Sequence, residues 1–352
     1  MATIRKKGPY QFHVQIRRKG YPQQSRTFNT YDEAESWAII TESEMKRGLF
    51  VDRSEAERMT LWAALERYRD EISAKKKGGD QEITRINRWL GVRTEAFQKM
   101  LARSKSKSRD TEIKPDPITG YTLAALKTSD FSKWRDQRLK SVSPATVGRE
   151  LALFSHVFTA CVKDWGIAVE NPLKDIRKPV INNSRERRLE GDEEKRLFAE
   201  LENRMAGKRH NVWLRPLVEF AIETAMRQGE ILAMDWKNIK PHHVFVPDSK
   251  TNKSREVPLS KRARAILDAL PGKGEGQVFK ISFDALQNAF PRACARAKIE
   301  NLTFHDLRHE ATSRLAEKLE MHELMKMTGH TNAKMVMRYY HPKSAATAAK
   351  LG

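Results

Sequence analysis

The chain has 352 residues, more than one ordinary hydrophobic core accommodates, so two or three domains are expected. Lys and Arg total 66 against 45 Asp and Glu, a formal net charge of +21 with 39% hydrophobic residues. This balance fits a soluble protein that draws in polyanions, nucleic acid first, and no apolar run reaches the length of a membrane span. The opening stretch, MATIRKKGPYQF, has no apolar segment behind its basic residues, so no signal peptide is expected. The two cysteines, Cys161 and Cys294, exclude a cysteine-built zinc site and read as small buried residues.

Residues 1–31 hold seven Lys and Arg, among them Arg5, Lys6, Lys7, Arg17 and Arg18, and no acid. Tyr10, Phe12, Val14 and Ile16 alternate with polar neighbours, which predicts a strand with one buried face. RKGYPQ reads as a turn and SRTFNT as the next strand. From Thr30 the pattern becomes a helix with an N-cap, acids in its first turn, and Gly48 beyond Lys46 and Arg47. Residues 1–52 are therefore expected to be a small sheet plus one helix.

Residues 58–170 are expected to be helical. Leu61, Leu65, Tyr68 and Ile72 form one apolar stripe, and Ile83, Ile86 and Leu90 a second. Val147, Leu151, Phe154, Phe158, Val162 and Trp165 form a third, opened by SPAT with Pro144 in the first turn. ARSKSKSRD, with Lys105 and Lys107, reads as a loop whose basic run suits either solvent or phosphate. Residues 171–188, with prolines, asparagines and many charges, read as a linker. Residues 189–352 mix helices with two strands around the turn KTNKS. The expected class is thus multidomain and mainly α, with small β elements and a mixed α/β final domain.

Four stretches could carry chemistry. In ETAMRQGEIL, Arg227 follows an apolar helix and needs an anion there, either a carboxylate such as Glu230 or a ligand phosphate. Lys250, with Lys253 and Arg255, makes the hairpin turn basic. FHDLRHE places His305, Arg308 and His309 on one helical face. Two histidines four apart beside an acid resemble half a zinc site, whereas an arginine between them suits a phosphate. TGHTNAKMVMRYYHP adds His330 and the pair Tyr339 and Tyr340.

In this order the four stretches resemble the tyrosine recombinase, or phage integrase, family. The likeness rests on TAMRQGEIL, the lysine of SKTNKSREVPL, the HDLRH box, the GH dipeptide, and a tyrosine nine residues after that histidine. It spans roughly residues 185–342. The ETAMRQGEILA and FHDLRHEA stretches look like the shufflon-type DNA invertases within the family, so inversion stands beside prophage integration as a subtype. Residues 58–170 look like the family's core-site DNA-binding domain, and residues 1–52 like an arm-type DNA-binding module.

The resemblance implies an enzyme that cuts and rejoins DNA at specific sites through a 3′-phosphotyrosyl intermediate, with no cofactor and no metal. Tyr339 would be the nucleophile, since RYYH fits the family's spacing of tyrosine, any residue, histidine. Arg227 and Arg308 would hold the non-bridging oxygens, Lys250 would protonate the leaving 5′-oxygen, His305 would assist at the nucleophile, and His330 would donate to the phosphate. Glu230 and His309 would support them. Arg5, Lys6, Lys7, Arg17, Arg18, Lys105, Lys107, Lys253 and Arg255 are the expected DNA contacts. The expected partners are double-stranded DNA bearing recombination sites and further copies of the chain, a homotetramer on paired sites that can be monomeric off DNA. Accessory DNA-bending proteins are compatible, and the bacterial cytoplasm is the expected place. The alternatives are a type IB topoisomerase and a non-catalytic DNA-binding regulator. A metal is disfavoured because the helical zinc motif has glutamate directly after its first histidine, where Asp306 stands, and because Lys and Arg surround every candidate ligand.

Overall fold

The computed structural model describes residues 2–92, 114–182, 185–202, 211–247, 254–271 and 274–340. Lys105, Lys107, Lys250, Lys253 and the tail beyond Tyr340 lie outside these residues. The chain forms two compact units, residues 1–183 and 184–352. Among the described residues no helix is long and apolar enough to cross a membrane.

The first unit begins with an antiparallel meander, β1 (Ala2–Gly8), β2 (Gln11–Ile16) and β3 (Gln24–Phe28), with β2 in the middle. Alternation along β2 buries Val14 and Ile16 against Ala34, Ala38 and Met45 of helix α1 (Tyr31–Lys46). Tyr10, expected in that row, falls in the turn before β2 and is 78% exposed. Thr30 caps α1 reciprocally, accepting from the Glu33 amide at 3.3 Å while Glu33 accepts from the Thr30 amide at 3.3 Å. Pairing of Arg5 with His13, and of His13 with Thr27, puts these three side chains on the face away from Val14. Arg5, Lys6, Lys7, Arg17 and Arg18 are all exposed.

Helices α2 (Ser54–Arg58), α3 (Leu61–Glu71), α4 (Asp80–Trp89), α5 (Thr128–Leu139) and α6 (Pro144–Lys163) enclose a second core in this unit. Leu61, Leu65 and Tyr68 meet Ile86, Phe131, Val147, Leu151 and Phe158 there, and Trp89 stacks on Phe154 with centroids 4.0 Å apart. The α6 stripe is buried through Phe158, but Val162 near its end is 43% exposed. Glu150, 1% exposed on α6, is held by a two-pronged bond from Arg138, both contacts 2.9 Å. This pairing offsets the cost of burying a carboxylate.

The second unit contains α7 (Glu193–Glu202), α8 (Leu214–Thr224), the single-turn helix α9 (Gln228–Leu232), the hairpin β4 (His243–Val246) and β5 (Arg255–Pro258), α10 (Lys261–Ala269), α11 (Phe283–Arg296), α12 (Phe304–Ala316), α13 (Met321–Thr328) and α14 (Ala333–Met337). α8 buries Leu217, Val218, Phe220 and Ala221 and packs on α10 and α12, so the apolar run read from sequence is the unit's central helix. Residues 185–188, expected to be linker, are fastened to this unit. Arg185 pairs with Asp306 at 2.7 Å, Arg187 with Glu193 at 2.6 Å and Arg188 with Glu310 at 3.0 Å. Asp306 and Glu310 are nearly fully buried, so each needs a cation close by.

Candidate active site

The site assembles where three chain turns meet. α8 ends at Ala225, a non-glycine residue in the left-handed region at φ 51°. A backbone held there carries strain that surrounding contacts must sustain. The Ala225 carbonyl accepts from Arg308, and the turn delivers Arg227 to the N-cap of α9. α12 supplies His305, Arg308 and His309 on consecutive turns of one face, started by Thr303 and Asp306. α13 ends on Gly329, at φ 71°, before His330, and α14 carries the chain to Tyr339.

Arg227, His305, Arg308, His309, His330 and Tyr339 line one open cavity of about 420 Å³, together with Lys334, Met335 and Arg338. Four of these nine side chains are Lys or Arg and none is acidic, so the cavity suits an anion. Arg308 is only 7% exposed and donates to the Thr328 carbonyl at 2.8 Å as well as to Ala225. Burial, and then the Arg227 charge, bring its guanidinium down to about 10, still protonated at neutral pH.

Arg227 is held by Glu230. Its Nη1 donates to Glu230 Oε1 at 2.9 Å, its amide to Oε2 at 3.0 Å, and its Nη2 to the Gly329 carbonyl at 3.2 Å. Glu230 in turn lies under Arg255, whose two terminal nitrogens reach its oxygens at 2.8 and 2.6 Å. Burial alone would raise the Glu230 carboxyl, but the bonds and charge of Arg255, then those of Arg227, outweigh it and pull the group to about 2. Arg255 also donates to the Met327 carbonyl at 2.9 Å, and its side chain is 7% exposed. The expectation of Arg255 as a DNA contact is therefore corrected. On β5 it shares the inward face with Val257, so period-two alternation turns it into the unit rather than towards solvent. Gly329 permits this packing, because a Cβ there would stand 3.2 Å from Arg255 Nε and 3.4 Å from Arg227 Nη1.

The opposite wall is made of neutral groups. His309 Nδ1 and the Tyr339 hydroxyl are 2.5 Å apart, and the His305 and His309 rings meet edge to face at 5.2 Å. His330 Nδ1 lies 2.6 Å from the Thr328 hydroxyl. Burial and then Arg308 and Arg227 push the His330 imidazole to about 4. Loss of solvation and then Arg308 push His305 down, and burial and then His305 push His309 down. Burial raises the Tyr339 phenol, against the pull of Arg338 and Arg308. Tyr340 turns away, donating to the Leu319 carbonyl at 2.7 Å. The acids of α12 also point elsewhere. Asp306 binds Thr303 and Arg185, and Glu310 binds Arg188, Arg314 and the Leu189 amide. Among the described residues no cluster of three or more His, Cys, Asp or Glu could hold a metal.

Residues 187–345 match the model of the phage integrase family. Over 306 residues the chain is 35% identical to a shufflon-specific DNA recombinase of Escherichia coli, covering 84% of this chain and 72% of that protein. A putative integrase/recombinase of Haemophilus influenzae is 32% identical over 99% of this chain and 90% of its own length. The chain belongs to the phage integrase family. It is thus a tyrosine recombinase, an enzyme of site-specific DNA recombination, as the motif order implied. The solved structure of a lambda integrase (75–356) dimer bound to a core site shares the fold of this tyrosine recombinase, with a TM-score of 0.60 at 20% identity over 80% of this chain and 95% of that one. A lambda integrase tetramer bound to a Holliday junction matches with a TM-score of 0.58 at 18% identity over 94% and 97%. The mainly helical fold with small sheets is therefore the family's.

The cavity gathers every expected catalytic residue among those described, and Glu230 stands directly behind it. Two relationships escaped sequence reasoning. Arg255 reaches Glu230 from 25 residues away, and His309, rather than His305, touches the tyrosine hydroxyl from 30 residues away.

Proposed function

We propose that this recombinase cuts one strand at each of two specific DNA sites by attack of Tyr339 on the scissile phosphate, leaving a 3′-phosphotyrosyl link and a free 5′-hydroxyl. The observation that carries the reading is the Tyr339 hydroxyl in the same cavity as Arg227, Arg308 and His330. Two guanidiniums stabilise the charge that builds on the non-bridging oxygens, the work a metal does elsewhere. His330 donates a hydrogen bond to the phosphate, and Lys250 protonates the leaving 5′-oxygen. His305, at the open side of the cavity, assists proton movement, and Glu230 orients Arg227. The covalent link keeps the phosphodiester energy, so the rejoining step needs no nucleotide cofactor.

Residues 1–52, through Arg5, Lys6, Lys7, Arg17 and Arg18, contact arm-type DNA, and residues 58–170 contact the core site, with Lys105 and Lys107 on phosphates. Lys253 adds a contact at the hairpin, residues 171–188 join the binding and catalytic parts, and residues 189–352 do the chemistry. Two DNA sites are brought together by four copies of the chain, in the bacterial cytoplasm. Likeness to a shufflon-specific recombinase supports inversion of a DNA segment, and likeness to the integrase of Escherichia phage 186, 29% identical over 63% of this chain, supports integration.

A nicked DNA site that traps the covalent complex tests the reading. Wild-type protein is expected to form the adduct in chelator and without ATP, Tyr339→Phe to form none, and Tyr340→Phe to retain it. An adduct that persists in Tyr339→Phe and vanishes in Tyr340→Phe moves the nucleophile by one residue. Relaxation of a supercoiled circle bearing a single site, without recombination between paired sites, would point to a topoisomerase instead.

A further inference from the structure

We propose that His309 is the base that takes the proton of Tyr339 as the tyrosine attacks, a catalytic role for a histidine that stood only as a supporting residue. The inference rests on Tyr339 as the nucleophile. Its ground is contact. His309 Nδ1 lies 2.5 Å from the Tyr339 hydroxyl, close enough to take its proton directly. His305 meets the His309 ring rather than the phenol.

The surroundings make a base necessary and keep this one ready. Burial raises the Tyr339 phenol, so little phenolate exists near neutral pH without an acceptor. Burial, then His305 and Arg338, hold His309 neutral, with Asp306 opposing and Arg308 adding to them. These groups, with Tyr339 itself, Arg227, His330 and Lys334 around the cavity, are the charged and titratable neighbours that face it. With its proton on Nε2, neutral His309 presents the Nδ1 lone pair to the tyrosine.

The step balances. The Tyr339 O–H bond breaks and its proton passes to His309 Nδ1. The phenolic oxygen bonds to phosphorus, the bond from phosphorus to the 5′-oxygen breaks, and that oxygen takes a proton from Lys250, the acid of the proposed reaction. On rejoining, the incoming 5′-hydroxyl gives its proton back to Lys250 as its oxygen attacks phosphorus, the tyrosine oxygen leaves, and the His309 imidazolium returns its proton to that oxygen. One histidine serves both directions, as microscopic reversibility requires.

Adduct formation by full-length protein on the nicked site, at a single turnover and across pH, tests the proposal. His309→Ala is expected to slow cleavage about 100-fold or more, the usual worth of a positioned base, with DNA affinity and melting temperature near wild type. The wild-type rate falls as pH drops through the lowered His309 value. The variant loses that dependence and instead speeds up with rising pH as hydroxide takes over, and added imidazole restores part of the rate. His309→Asn carries the same test should the alanine variant melt early. Cleavage within about threefold of wild type, or an unchanged pH profile, overturns the proposal, since a base is worth far more. If Tyr339→Phe still forms the adduct, the nucleophile assignment fails. If Tyr339→Phe is inactive while the His309 variants cleave normally, only the His309 role fails.

Discussion

The two walls of the cavity solve different problems with different chemistry. On one side, Arg227, Glu230, Arg255 and Arg308 are charged, and each is tied by several hydrogen bonds. On the other, His309, His330 and Tyr339 are half-buried, His305 stands at the open side, and all four are pushed towards their neutral forms. In the reaction proposed above, the first wall holds charge still where the phosphate develops more of it. The second wall supplies the nucleophile and, through His309, the base that takes its proton. A site that needs both functions keeps them on separate elements, α9 and β5 against α12 and the end of α14. Arg308 belongs by sequence to α12 with the histidines and by its charge to the first wall, so it is the seam.

The sharpest way to break this division is to release Glu230. Arg255→Met leaves the buried carboxylate with Arg227 as its single guanidinium partner, which draws Arg227 away from phosphate. Adduct formation is expected to fall about 100-fold, the loss seen when one oxyanion donor is misplaced. Adding Glu230→Gln to Arg255→Met removes the stranded charge and is expected to recover part of the rate. A single variant as fast as wild type would mean that the charged wall is not held from behind.

Acid separates the walls by where each titrates. The histidine wall is neutral in the fold and charges more readily in the unfolded chain, so stability declines as pH falls below the ordinary histidine value of 6.5, down to about 4 for His330. Glu230 acts in the same direction but lower. Its contribution is complete above 4.5 and disappears as pH falls to about 2. Thermal melts from pH 8 to pH 3 are expected to show a first decline below 6.5 that His330→Asn reduces, and a second below 4.5, shared with Asp306 and Glu310, that Glu230→Gln reduces. A single decline untouched by either variant would refute the assignment.

The smallest effect concerns the point where both walls meet. Gly329→Ala puts a side chain at φ 71°, within 3.4 Å of Arg227 Nη1 and closer still to Arg255. A loss of about 1–2 kcal/mol is expected from the backbone alone. Chemical denaturation checks the stability, and the nicked-site adduct checks whether Arg227 has shifted.

Much of the site was legible because its boxes are local. The helical face of HDLRH and the glycine before His330 each declare their geometry within a few residues. What stayed hidden depends on contacts between distant stretches. Nothing in FHDLRHE announces that its acids meet arginines more than a hundred residues upstream, or that His309 lies closer to the tyrosine than His305 does. Arg255 was different, since its alternation with Val257 was available on β5 but was outweighed by the basic turn beside it. Tyr10 misled for the opposite reason, because alternation continues past the point where the strand gives way to a turn.

The fastening of residues 185–188 works like the strain relief on an electrical cord. Arg185 grips Asp306 on α12, and its carbonyl accepts from Arg338, the residue next to Tyr339. Arg188 grips Glu310 one turn further along α12. A pull arriving along the chain from residue 182 or before meets this clamp ahead of the terminals it protects. The helix with the histidines and the segment with the tyrosine are thus clipped to the same short length of cord.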